Sequence, residues 1–193
     1  MPALVPAPAE LLAALARALE EIGARWYIFG AQATMIWGRP RMTADVDVTV
    51  RLVPDDPRPL VEALKRHGFR LRVDEAGDFV RRTRVLPFLY EPNGLPLDVV
   101  LGGPGLEDLF ASRAVPVDIG PASVPVICAE DFVATKILAG RPKDLDDVAG
   151  VLRERLDRLD LELIRGTLKL LEGALGQSDL IPLFEQAIAS ARR

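Results

Sequence analysis

The run Asp45-Val46-Asp47-Val48-Thr49-Val50 constrains this chain more than any other stretch. Apolar and polar residues alternate with period two, the pattern of a β-strand with one face turned to a core. The same alternation puts Asp45 and Asp47 on one face, with Cα atoms about 6.6 Å apart at about 3.3 Å per residue. Carboxylates that close repel each other, and a divalent cation lets both stay ionised. The plainer alternative is a pair of charges on the wet face of an edge strand.

Residues 26–29 form a short apolar strand ending at Gly30, and residues 31–37 read as a helix. A glycine directly after a strand lets the backbone approach a triphosphate, and the following helix offers unpaired N–H groups to it. Further on, extended runs at 84–90 and 95–101 flank Glu91-Pro92-Asn93-Gly94, and Asn-Gly is a strong hairpin signal. Leu97, Val99 and Leu101 alternate there with Asp98 and Val100, so a third carboxylate stands on a strand. A trio such as Asp45, Asp47 and Asp98 suits two Mg²⁺ ions about 4 Å apart, one beside an attacking hydroxyl and one on nucleotide phosphates. Such ions screen charge on a transferring phosphoryl group, so little acid–base machinery is required of the protein. The only histidine, His67, follows Lys65-Arg66 and precedes Gly68, which suits the end of a helix.

The rest of the chain reads as a mixed α/β (α+β) domain over residues 1–128 and a C-terminal helical region over 129–193. Helices are expected at 8–24, 58–67 and 106–112, and strands at 45–52, 69–73, 114–119 and 124–128. Residues 79–85 read as a strand whose Arg81, Arg82 and Arg84 form a solvated face or, as the alternative, contact the phosphates of an RNA acceptor. From Ala129 helices follow at 129–139, 144–157, 160–175 and 178–191. Hydrophobic content of 49% over 193 residues is enough for a sizeable core. A net charge of −4 argues against a broad basic footprint for nucleic acid. The single cysteine, Cys128, excludes an internal disulfide and suits a reducing cytoplasm and a core position. No apolar stretch reaches the 18 or more residues of a membrane span, and Met1-Pro2-Ala3-Leu4 lacks the basic start of a signal peptide.

Gly30 followed by a helix, then Gly38-Arg39-Pro40-Arg41-Met42-Thr43-Ala44-Asp45-Val46-Asp47, resembles the signature of the minimal nucleotidyltransferase (polymerase β-like) fold. More narrowly, Arg41-x-Thr43-x-Asp45-x-Asp47 is similar to the abortive-infection type nucleotidyltransferases, toxins of bacterial toxin–antitoxin pairs. Residues 130–136 and 141–147 resemble the helical region of that family. The resemblance implies a Mg²⁺-dependent enzyme that moves a nucleoside monophosphate from an NTP to an acceptor hydroxyl on RNA such as tRNA, a protein or a small molecule. A cognate antitoxin is its implied partner. It implies Asp45, Asp47 and Asp98 as metal ligands and catalytic carboxylates. Gly30 with Ala31, Arg41, Thr43 and Lys136 would lie along the nucleotide, Lys136 as a triphosphate contact. One departure stands out: the family follows its glycine with Ser or Gly, and Ala31 keeps the backbone N–H but lacks the hydroxyl.

Three plainer or rival expectations stand beside these. Lys136, Arg141 and Lys143 suit the end of a helix, and Asp144, Asp146 and Asp147 the first turn of the next. A catalytically inactive domain that binds a nucleotide or partner is the second, favoured by Ala31. A haloacid-dehalogenase-type phosphatase is the third, because Asp45-Val46-Asp47-Val48-Thr49 satisfies Asp-x-Asp-x-Thr. In that class an apolar strand runs into the first Asp, whereas here Arg41-Met42-Thr43-Ala44 precedes it.

Overall fold

A computed structural model describes residues 7–39, 45–73 and 76–192. Among them the order is α1 (Ala7–Glu21), β1 (Arg25–Phe29), α2 (Gly30–Trp37), β2 (Val46–Arg51), α3 (Arg58–Arg66), β3 (Phe69–Leu71), α4 (Ala76–Thr83), β4 (Val85–Tyr90), β5 (Leu95–Leu101), α5 (Leu106–Arg113), β6 (Val115–Asp118), β7 (Ser123–Val126), α6 (Ala129–Ala139), α7 (Pro142–Arg155), α8 (Leu161–Leu175) and α9 (Leu180–Ala191). The described residues divide into two compact units, 7–32 with 45–127 and 33–39 with 128–192.

The first unit is built on one mixed sheet of strand order β3-β4-β5-β2-β1-β7-β6. Val46, Val48 and Val50 of β2 are buried, as are Leu97, Val99 and Leu101 of β5, so both strands turn the same parity inward. That shared parity lets β2 and β5 pair in parallel with Asp47 opposite Asp98. The Asn93-Gly94 turn sets the β4–β5 hairpin, with Tyr90 opposite Leu95 and Pro87 opposite Asp98. Asn93 Oδ1 accepts the Leu95 N–H at 3.2 Å, fixing the turn that sets this register. Helix α1 buries Leu11, Leu12, Leu15 and Leu19 along one stripe, and it packs on α3, β5 and β7.

In the second unit α6 packs on α7, α8 and α9, around Phe132, Ile137, Val151, Leu168 and Phe184. Gly140, at φ +61°, ends α6 in the left-handed conformation and returns its N–H to the Lys136 carbonyl. None of the described helices is long and apolar enough to cross a membrane.

One expected element differs. Residues 76–83 form helix α4, not a strand carrying Arg81 and Arg82. Val80 is the buried anchor of that helix, and both arginines fall in its last turn, where cations favour the helix dipole.

Candidate active site

Asp45 lies immediately before β2, Asp47 is the second residue of β2, and Asp98 sits in the middle of β5. Parallel pairing in the Asp47–Asp98 register sets two of these side chains on neighbouring strands of one sheet face. One carboxylate oxygen from each of Asp45, Asp47 and Asp98 lies within 4.8 Å of the other two, and all three residues are half-buried. Three hard oxygen donors converging in this way are a donor set of the kind divalent cations take.

Gly30 opens α2 at the end of β1, and its geometry ties it to the same carboxylates. Phe29 pairs with Asp47 across β1 and β2, so the turn after β1 begins beside Asp47. The Gly30 φ is +63°, a conformation L side chains rarely adopt. A Cβ there would stand 2.1 Å from Asp47 Oδ2 and 2.9 Å from Asp47 Cβ and Cγ. The glycine therefore vacates the volume that the Asp47 carboxylate fills. Its neighbour Ala31 is buried, with 4% of its surface exposed, whereas Gly30 is half-exposed.

One residue at the site had no motif to announce it. Arg72 Nη2 donates to Asp98 Oδ1 at 2.6 Å, with both side chains about one-third exposed. The Arg72 backbone N–H donates to the Pro87 carbonyl at 2.8 Å and so continues the β3–β4 ladder by one residue.

Lys136 is engaged by two carboxylates of the next helix. Its ammonium donates to Asp144 Oδ1 at 2.8 Å and to Asp147 Oδ2 at 2.7 Å, and it lies 5.4 Å from the Phe132 ring centroid. Lys136, Asp144 and Asp147 are all buried, inside the second unit. Arg141 Nε adds a 2.5 Å contact to Asp144 Oδ2. Burial by itself would push the Asp144 carboxyl up, but Arg141 and Lys136 hold it below the ordinary carboxylate range. The expected pairing of these groups with helix termini is thus exceeded, because α6 and α7 are joined by a buried ionic cluster. Arg41 and Thr43 lie outside the described residues.

Cys128 is buried at the start of α6, and its thiol donates to Asp131 Oδ2 at 3.2 Å. Burial pushes the thiol up to about 12, which leaves it protonated and unreactive at neutral pH.

A family model described as "Nucleotidyltransferase of unknown function (DUF6036)" matches residues 10–170. The chain belongs to that family. Its fold is also that of solved nucleotidyltransferases. An antigenic nucleotidyltransferase-like protein from Paracoccidioides brasiliensis matches at TM-score 0.55 and 18% identity, over 92% of this chain and 91% of that one. ANT(2")-Ia, solved in complex with adenylyl-2"-tobramycin, matches at TM-score 0.51 and 14% identity, over 96% and 97%. A nucleotidyltransferase described as putative, from H. pylori, matches at TM-score 0.51 and 15% identity, over 100% and 95%. No curated protein matches the chain. The chain is thus a nucleotidyltransferase by family and by fold, with Asp47 and Asp98 on neighbouring strands of the sheet and Asp45 just before the first of them.

Proposed function

We propose that this enzyme transfers a nucleoside monophosphate from an NTP to an acceptor hydroxyl with the help of Mg²⁺, releasing pyrophosphate. The observation that carries the reading is the convergence of Asp45, Asp47 and Asp98 against the side-chain-free turn at Gly30. In the reaction the acceptor oxygen bonds to the α-phosphorus, and the bond from that phosphorus to the pyrophosphate oxygen breaks. When bound, Mg²⁺ would screen the charge that develops on the phosphoryl oxygens and lower the pKa of the attacking hydroxyl.

The chain's own residues supply position and proton handling. Asp45 and Asp47 would hold the cation beside the nucleotide phosphates. Gly30 lets the triphosphate lie close to the backbone at the start of α2, where Ala31 adds its backbone N–H. Asp98, across the strand pair, would join Asp45 and Asp47 on the cation and so help the acceptor hydroxyl give up its proton. Arg41 and Thr43, on the approach to Asp45, complete the proposed nucleotide contacts. Lys136 is left out of that set, because two carboxylates already hold its ammonium.

The acceptor class is addressed by one experiment. The protein is incubated with Mg²⁺, each α-labelled NTP in turn and a cell extract, and the label is followed into RNA, protein or small molecules. A small hydroxyl compound is one arm, since adenylyl-2"-tobramycin is what ANT(2")-Ia was solved with. The Arg41-x-Thr43-x-Asp45-x-Asp47 run extends the proposal to a toxin held by a cognate antitoxin. Growth arrest on expression, relieved by Asp47→Asn, tests that part. Asp45→Asn and Asp47→Asn are each expected to abolish transfer while leaving the circular dichroism spectrum unchanged. Full transfer by either variant removes the trio from the reaction, and label uptake absent from every fraction leaves a binding domain, the reading that Ala31 favours.

A further inference from the structure

The sheet face that bears Asp47 carries a lateral row of residues: Arg72, Pro87, Asp98 and Asp47. Leu71 pairs with Phe88, so Arg72 comes opposite Pro87; Pro87 pairs with Asp98, and Asp98 with Asp47. Strands lie about 4.8 Å apart, so Arg72 and Asp98 are separated by about two spacings, or about 9.6 Å. Only a long side chain spans that distance, and the short ring of Pro87 is what stands between. The guanidinium of Arg72 does span it, reaching Asp98 Oδ1 at 2.6 Å.

This contact has a consequence for the metal ligands. Asp98 is one of three carboxylates whose oxygens converge within 4.8 Å, and a fixed positive charge is bonded to it. A cation approaching the trio must share that carboxylate with Arg72 or displace it, and it meets repulsion from the guanidinium in either case. Arg70, two residues earlier on the same edge strand, carries the same charge but is bonded to Glu91 at 3.2 Å. The fold therefore contains its own control.

We propose that Arg72 is a positioning residue that holds Asp98 in the metal-free enzyme and competes with the divalent cation for that carboxylate. The proposal rests on the reading of the trio as a metal site. It makes Arg72 a gate on cation loading: the third carboxylate stays in place without metal, and weak or transient loading is resisted.

The test measures Mn²⁺ binding to the full chain by electron paramagnetic resonance of the free ion, with no substrate present. Wild type, Arg72→Gln, Arg72→Lys, Arg70→Gln and Asp47→Asn are compared. Arg72→Gln is expected to bind Mn²⁺ about tenfold more tightly than wild type. Arg70→Gln is expected to stay within about twofold, because its guanidinium is bonded to Glu91 and not to a carboxylate of the trio. Arg72→Lys keeps the charge without the planar fork and should fall between Arg72→Gln and wild type. In EDTA the melting temperature of Arg72→Gln should lie about 1–3 °C below that of wild type, and saturating Mn²⁺ should close the gap.

Unchanged or weaker Mn²⁺ binding by Arg72→Gln overturns the gate. Equal tightening by Arg70→Gln also overturns it, because the effect would then be general charge rather than this contact. If wild type binds Mn²⁺ and Asp47→Asn does not, the metal site stands even where the gate fails. If neither wild type nor Arg72→Gln binds Mn²⁺, both ideas fall.

Discussion

Replacing Gly30 with alanine adds a single methyl group, and two separable effects follow. The first is backbone strain: an L residue held at φ +63° costs about 1–2 kcal/mol. The second is a collision, since the new Cβ would stand 2.1 Å from Asp47 Oδ2. Relieving it to an ordinary contact of about 3.5 Å moves the carboxylate by more than about 1 Å. Gly23, in the turn after α1, isolates the first effect: its φ is +61° and a Cβ there meets nothing within 4 Å. Gly23→Ala should lower the melting temperature by about 2–8 °C, at about 2–4 °C per kcal/mol for a chain of this size, and leave transfer unchanged. Gly30→Ala should lower it at least as much and reduce nucleotidyl transfer by about 100-fold, the expected effect of misplacing a reactive group by about 1 Å. The assay pairs a thermal melt with transfer from an α-labelled NTP. In an Asp47→Gly background the clashing atoms are gone, and Gly30→Ala should then destabilise no more than Gly23→Ala does. Gly30→Ala with the activity of Gly23→Ala would refute the reasoning, because the Asp47 carboxylate would not depend on the missing side chain.

Three other outcomes are expected. Lys136→Met leaves Asp144 and Asp147 buried without their ammonium, which costs about 3–5 kcal/mol, and the melting temperature should fall by roughly 10 °C; lost transfer with an unchanged melt would instead make Lys136 a nucleotide ligand. Cys128, its thiol raised to about 12 by burial, should resist iodoacetamide at pH 8 in the native protein and react once the chain is unfolded in urea; rapid native labelling would contradict its burial. Asp144 is held below its ordinary range, so its ionised form favours the fold. That contribution is complete above about pH 4, the unfolded value, and declines as pH falls through the lower folded value. Urea midpoints measured from pH 5 downward should show acid destabilisation, and Asp144→Asn, less stable at pH 5, should show less of it; equal slopes would deny the linkage.

Much of the first unit was legible because its signals are local. Strict alternation identifies β2 and β5, and the Asn93-Gly94 turn sets the β4–β5 register with Pro87 opposite Asp98. The neighbouring element was harder. Residues 79–85 carry only one buried apolar side chain, Val80, so neither period is strong, although paired arginines at 81 and 82 suit the end of a helix. Lys136 was readable as a cation near a helix end, but its two carboxylates lie one helix further on.

The amino-acid order by itself settled that Asp47 and Asp98 stand on strands, that Asp45 comes two residues before Asp47, and that a glycine precedes them at a strand end. Those are properties of a few consecutive residues, and period two fixes them whatever the strand pairs with. Which strand lies beside β2 depends on how distant segments bury their inner faces together. Only the tertiary structure therefore brought Asp98 beside Asp47, set the Asp47 carboxylate in the space Gly30 leaves, and carried Arg72 across Pro87 to the third carboxylate.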